Sequence, residues 1–470
     1  MARRALPLLL CIAILPLVGC VADIADDGWQ PRRPLGKDYA TFHPPVEPPG
    51  SKPVESARGE PVESGATTRQ AGMDEPDGEI TLRQALTLAM LRSPDLASVA
   101  WDVRIAEAKA LQASLPPNPE IGFDIETLGA LSAAETTLQL GQVIFLSHKL
   151  ARRRQAALLK RDLAGWDYEA KRIAVLTDTT KAFVALLAAQ EHVSLAREQL
   201  EVAGKVLVAA SERVRSGKTS PVEAMKAKVE LATVRIRIEQ ASIAAQGARK
   251  RLAAMWGNRE AKFSDARGEL ADAGNIPSDG QLAALIEQNP AVARWATEMQ
   301  LRQAVAKLEK ARAIPDLNLG AGGKRDGESS RGGFAGGLSI EIPIFDRNQG
   351  GIRESRYSLA RTQADRRAAG ARVHSDLADA YQMLAAAHAQ LTILKTDILP
   401  EAQNAFDASR EGYQQGKFPY LDVLDAQRTL FDARSQYLVA LTDYHTSAAS
   451  VEGLIGQSLE SVVKGDEQEN

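Results

Sequence analysis

Cysteine is almost missing: the 470 residues hold two, Cys11 and Cys20, both within the first 20. A leader cut before Cys20 would take Cys11 with it, so no disulfide can form within one mature chain. Aromatic residues make up 5%, and alanine is abundant after residue 80. Few large side chains and many small ones suit close-packed parallel helices better than a thick globular core. Beyond the leader no run approaches about 18 consecutive apolar residues, so no transmembrane helix is predicted. A chain of this kind that crosses a membrane does so with strands. Neither sign of charge dominates: 57 basic and 60 acidic residues intermix to a net −3. With no basic stripe, nucleic acid is excluded as a partner.

Catalytic signatures are missing as well. There is no GxSxG and no Gly-rich dinucleotide fingerprint. Gly217-Lys218-Thr219 mimics the end of a phosphate-binding loop, but position 212 is Glu and no strand precedes it. His43, His148, His192, His374, His388 and His445 show no metal-ligand spacing. The sequence therefore predicts no enzyme, no cofactor and no dedicated metal site; surface histidines are the simpler reading.

What is present begins with a leader. Arg3 and Arg4 precede an apolar run from Ala5 to Val18, ending Leu17-Val18-Gly19-Cys20. A short basic region and an apolar stretch too brief for a mature span make residues 1–19 a secretory signal. The ending resembles a bacterial lipobox, which implies acylation of Cys20; the alternative is a plain signal cut nearby, with Cys20 incidental. Val21, rather than Asp, follows the cysteine, which in bacterial lipoproteins favours sorting to the outer membrane. Residues 20–79, rich in Pro, Gly and charge, cannot bury enough surface to fold alone and read as an extended tether.

Order begins at Thr81, whose hydroxyl can cap a helix carrying Leu82, Ala85, Leu86, Ala89 and Met90 on one face. The pattern breaks at Ser93-Pro94, continues to Leu115 and stops at Pro116-Pro117. Two segments of period two follow. Ile121, Phe123 and Ile125 alternate with Glu120, Gly122, Asp124 and Glu126; after a small-residue turn from Gly129 to Ala134, Leu138, Leu140 and Ile144 alternate with polar residues. Each is about ten residues long, the length of a tilted membrane strand, with one apolar and one polar face. Helix signals then run from His148 to about Arg215, about 100 Å at 1.5 Å per residue. Trp166, Ile173, Thr180 and Leu187 recur every seven, with Leu176 and Phe183 at the companion position, the mark of a coiled coil or helical barrel. A turn at Gly217 leads to a return helix from about Pro221 to Trp256.

The chain then repeats itself. Residues 80–262 are answered, across a linker at 263–279, by residues 280–460. Pro94 aligns with Pro290, Pro119 with Pro315, Val143-Ile144-Phe145 with Pro343-Ile344-Phe345, and Gly257 with Gly456. A second strand pair flanks a loop from Lys324 to Gly333, and a second long helix runs from Asn348 to Tyr413. Several landmarks in register make the duplication strong. The charged tail, 461–470, reads as disordered.

The two turns between long helices are the working ends. In Tyr413 to Ala426 the helix breaks at Gly416 and Pro419 and leaves carrying Asp422 and Asp425, three apart and so on one face. In the first copy Gly217 and Glu223 hold the places of Gly416 and Asp422. We read these turns as a passage gate; the plainer reading makes both aspartates solvated first-turn acids favoured by the helix dipole. Four strands cannot close a barrel, and open edges are not tolerated in lipid. Copies must pool strands: two chains give eight, three give twelve.

This duplicated layout resembles the TolC-like outer-membrane efflux family over roughly residues 80 to 460. Its most specific landmarks are Gly416 through Leu421-Asp422-Val423-Leu424-Asp425-Ala426 and the junction Pro343-Ile344-Phe345-Asp346-Arg347-Asn348-Gln349-Gly350. The FDRNQG wording is similar to outer-membrane components of heavy-metal cation (RND-type) efflux systems. The resemblance implies a mainly α fold with a small β part. Duplicated helical hairpins form a trimeric α-barrel, and four strands per chain enter a shared 12-stranded transmembrane β-barrel. It implies a lipid-anchored homotrimer in the outer membrane, working with a periplasmic adaptor and an inner-membrane RND-type pump. Asp422 and Asp425 would line the closed periplasmic entrance, where three copies bring six carboxylates together and attract cations. Tyr413 would tie neighbouring hairpins shut. Phe418 stands where drug-efflux members place a gate arginine, leaving Lys417 with Glu223 as the substitute latch. Gly217, Gly416, Lys417 and Pro419 would form the tips on which the adaptor docks. A multidrug or type I secretion channel is the alternative within the class. Outside it stands a periplasmic coiled-coil lipoprotein without a pore, which has no use for two strand pairs with one apolar face.

Overall fold

The structure, a computed structural model, describes residues 33, 35–45, 74–126, 134–270, 273–326 and 331–469. The leader, Cys20 and most of the turn expected between Gly129 and Ala134 lie outside them.

Local chemistry sets the same boundaries in both repeats. In the first, β1 (Glu79–Thr81) runs into α1 (Leu82–Arg92), where Thr81 and Gln84 form a capping box; Ser278 and Gln281 form another at the start of α5 (below). Ser93 caps α2 (Pro94–Ser114), which opens on proline, the residue that loses nothing at a first helical position. Then come β2 (Glu120–Glu126), β3 (Glu135–Ile144), α3 (Lys149–Arg215) and α4 (Pro221–Ala254). After β4 (Asp265–Arg267) the second repeat gives α5 (Asp279–Leu285), a 3-10 turn and α6 (Pro290–Arg312), capped by Asn289. It continues with β5 (Leu317–Asp326), β6 (Gly332–Ile340), α7 (Gln349–Ile393), a π turn (Leu394–Ile398), α8 (Leu399–Gln414) and α9 (Tyr420–Ile455). The long helices start from equivalent left-handed residues, His148 (φ 54°) and Asn348 (φ 53°).

The four longer strands make one antiparallel sheet in the order β2-β3-β5-β6, so its central pairing, β3 with β5, joins the two repeats. Register collects Ile121, Leu140 and Ala321 in one row and Phe123, Leu138 and Phe334 in the next. Leu319 and Leu338 continue this face, which is exposed, Phe334 by 84% and Ile121 by 78%. The opposite face carries Glu120, Asp124, Thr137, Gln139 and Lys324 among glycines. β2 and β6 are free edges.

Behind the long helices sits a second, smaller layer. β1 and β4 pair in parallel, with Ile80, Leu88, Phe183, Leu187, Leu252 and Trp256 buried in one core. Leu282 and Ile286 bury against Leu377, Leu384, Leu441 and Ile455 in another.

The structure corrects the sequence reading in four places. The helix expected from Asn348 to Tyr413 is interrupted by the π turn; Pro400, two residues past it, has no N–H to continue the ladder. The 263–279 linker contributes a strand, β4. The tether is packed at residues 35–45: Arg33 pairs with buried Glu169 at 2.7 Å, Arg172 Nη1 donates to the Leu35 carbonyl at 3.0 Å, and Phe42 N–H to that of Met90 at 3.1 Å. The tail expected to be disordered forms α10 (Leu459–Glu469), seated by Leu459, which is buried in the second core. α3 also contains a window of mean hydropathy 1.3, and 44% of that window is buried within the protein.

Candidate functional site

The hairpin tips end in the same backbone device. At α3, Lys218 N–H donates to the Arg213 carbonyl at 2.9 Å and Gly217 N–H to that of Val214 at 3.0 Å. At α8, Lys417 N–H reaches the Gly412 carbonyl at 2.8 Å and Gly416 N–H that of Tyr413 at 3.0 Å. Both are Schellman closures, which need a left-handed residue, and Gly217 (φ 69°) and Gly416 (φ 78°) supply it. Ser220 with Pro221, and Pro419 with Tyr420, then restart the chain as α4 and α9. Gly217, Gly416, Lys417 and Pro419 all lie exposed at the ends of the hairpins. Gly412 is required for a packing reason: a Cβ there would run into the Phe418 ring folded back over it.

One turn from the tips the two hairpins meet through Tyr413, which is 3% exposed. Its hydroxyl lies 3.4 Å from Glu223 Oε2 on α4. From α3, Arg213 donates Nη1 to the Tyr413 carbonyl at 2.7 Å and places its guanidinium 4.6 Å over the ring. Tyr420 meets the same ring edge-on at 6.2 Å. Burial and the Glu223 charge push the Tyr413 hydroxyl up from its ordinary pKa, and the Arg213 cation pulls against them. Tyr420 is pushed up to about 12, by burial first and then by Glu230 and Tyr413.

Further up, Arg428 on α9 holds buried Glu230 on α4 at 2.6 Å, and Arg434 on α9 reaches Glu198 on α3 at 2.9 Å. Four contacts thus tie one hairpin to the other inside a single chain. The sequence reading paired Glu223 with Lys417. Instead the Tyr413 hydroxyl takes Glu223, and among the described residues no ion pair joins it to Lys417. Asp422 and Asp425 stand exposed together on the first turns of α9, both clear of this cluster's buried core. Nothing local in the sequence marks Arg213, Glu230 and Arg428, whose partners lie on other helices. Among the described residues no group of three or more His, Cys, Asp or Glu could hold a metal ion.

Comparison with known proteins agrees with this geometry. A family model described as outer membrane efflux protein matches residues 85–258 and 282–457, one match per repeat. The cobalt-zinc-cadmium resistance protein CzcC of Cupriavidus metallidurans is 36% identical over 383 residues, spanning 82% of this chain and 91% of that protein. The nickel and cobalt resistance protein CnrC of the same organism is 30% identical over 288 residues, 60% of this chain and 67% of that protein. Among solved structures, the outer membrane protein VceC of Vibrio cholerae superposes with a TM-score of 0.68 at 18% identity, covering 80% of this chain and 96% of that one. That likeness shows a TolC-like fold. With both repeats matched and more than four-fifths of its length shared with CzcC, the chain belongs to the outer membrane efflux protein family.

Proposed function

We propose that three copies of the chain form a sealed outer-membrane duct that passes heavy-metal cations from an inner-membrane RND-type pump and its periplasmic adaptor to the exterior. One observation carries this reading: the four-stranded sheet has one exposed apolar face and two free edges. Such a sheet is stable in lipid only when edges from other copies close it, and three copies give twelve strands. The helical layer is unfinished in the same way. On α4, Val222, Val229, Ile236 and Ile243 recur every seven residues and are 52–67% exposed, a seam for a neighbouring helix.

At the tips, Asp422 and Asp425 of three copies form the ring that selects cations, Tyr413 and Glu223 hold the entrance closed, and Gly217, Gly416, Lys417 and Pro419 receive the adaptor. Residues 1–19 are removed and Cys20 is acylated. Cations as cargo are supported by the resistance functions in the names of CzcC and CnrC. The test is deletion followed by a survey of sensitivity to Zn, Co, Cd, Ni, Cu, Ag and hydrophobic drugs. Metal sensitivity restored by the intact gene supports the reading; sensitivity to drugs alone moves the cargo to organic compounds. A mature protein that stays monomeric and soluble without detergent overturns the duct.

A further inference from the structure

The second long helix is broken where the first is not. α3 runs unbroken for 67 residues, whereas its counterpart divides into α7 and α8 at the π turn. The cause is local. Pro400 brings no N–H, and its ring crowds the Thr396 carbonyl four residues back. Leu399 N–H reaches five residues back, to the Leu394 carbonyl, which is the wide π pairing. Thr392 and Thr396 add to the bend, because each hydroxyl donates to a carbonyl four residues earlier, His388 and Thr392, at 2.9 Å.

The π turn falls between two separately packed cores. Toward the sheet, Leu384, Leu391 and Leu394 share one core with Leu441 and Tyr444 of α9. Toward the tips, Ala402 and Phe406 of α8 share another with Val423, Leu430 and Ala433 of α9. There Arg434 Nη2 also fastens the same two helices, donating to Gln403 Oε1 at 3.0 Å. Between the cores Lys395, Thr396, Asp397 and Ile398 are all exposed. At this level a groove of about 600 Å³ separates α9 from α3 and α4, walled by Ala188, Ala196, Ala241 and Ala244 opposite Ser435 and Val439. On that side α9 can bend without displacing a packed neighbour.

We propose that the π turn is a hinge, about which α8 and residues 420–433 of α9 swing as one unit against a fixed trunk. From Leu394 to Gln414 the arm is about 30 Å at 1.5 Å per residue, so a tilt of about 10° moves the tip about 5 Å. The first hairpin, with its unbroken α3, stays in place. The contacts of Tyr413 with Arg213 and Glu223 latch the moving hairpin to the fixed one. That the swing widens an entrance rests on the duct reading above; the hinge itself does not.

Amide hydrogen exchange of the purified full-length protein in detergent tests the hinge. Residues 394–402 should exchange at least about tenfold faster than residues 194–202 of α3. P400A restores an N–H for the Thr396 carbonyl and should slow them by about tenfold. Equal exchange in the two helices, or no slowing in P400A, overturns the hinge. Single-channel recording in planar bilayers tests its consequence. P400A, and A244W, which fills the groove from an exposed position on α4, should each make opening at least about threefold rarer. Opening as frequent as in wild type overturns the role in the entrance. A protein that never conducts strikes the duct reading instead, and exchange still decides the hinge.

Discussion

Arg428 and Glu230 lie 2.6 Å apart, and their exposures are unequal: the arginine side chain is 54% exposed and the carboxylate 4%. Glu230 Oε1 has no hydrogen-bond partner among the described residues. The pair is therefore a clamp whose buried half depends on its exposed half. R428A strands a buried carboxylate and should cost about 2 kcal/mol, below the figure for a fully buried pair because water reaches the arginine. E230Q keeps an acceptor for Arg428 and should cost less than half as much. Thermal unfolding in detergent reads both; equal losses would refute the asymmetry.

Arg213 acts on Tyr413 twice, by a hydrogen bond and by its charge over the ring. R213A should loosen the tips by about 1–2 kcal/mol and raise single-channel conductance in planar bilayers. R213K keeps the charge but not the planar guanidinium, and should fall between. Wild-type conductance in R213A would mean that the contact only supports the helix end.

The tip tyrosines give a pH dependence with a definite sign. Burial pushes the Tyr420 hydroxyl up to about 12 in the folded protein, from an ordinary 10.0. The folded form holds its proton more tightly, so the contribution is complete below pH 10 and is lost as pH rises from 10 toward 12. Y420F should flatten unfolding curves over that window. A slope unchanged by Y420F would place the alkaline transition elsewhere.

If Asp422 and Asp425 line the entrance, D422N/D425N should lower the cation-to-anion permeability ratio while leaving the melting temperature within about 1 °C, since both side chains are exposed. An unchanged ratio would make them ordinary first-turn acids.

The sheet offers a control pair. At Gly322 a Cβ would run into the Leu138 carbonyl oxygen of the paired strand, whereas at Gly337 nothing lies within 4 Å. G322A should abolish heat-modifiable oligomers in outer-membrane fractions, and G337A should not. Normal oligomers from G322A would mean that β3 and β5 can part without loss.

Much of this architecture is readable locally. Pro94 and Pro290 start helices, Gly217 and Gly416 end them, and the alternation of Ile121, Phe123 and Ile125 marks a strand, because each follows from a residue's own backbone or its immediate neighbours. The cluster around Tyr413 is different. Arg213 and Tyr413 are 200 residues apart, and an arginine in the last turn of a helix is chemically ordinary. Glu223 is legible through its place in the repeat, but its contact with the Tyr413 hydroxyl, 190 residues away, is not. The π turn before Pro400 leaves no mark in the sequence because the apolar spacing runs on through it.

The ladder between β3 and β5 runs unbroken from Glu135 opposite Asp326 to Ile144 opposite Leu317. Nearly two hundred residues separate its two sides, so the half of the chain made first has a naked hydrogen-bonding border. Until the later half arrives, that border is open to any stray strand. Assembly of the sheet is thus a problem of timing: the inner border of β3 is sealed only once the second repeat has arrived.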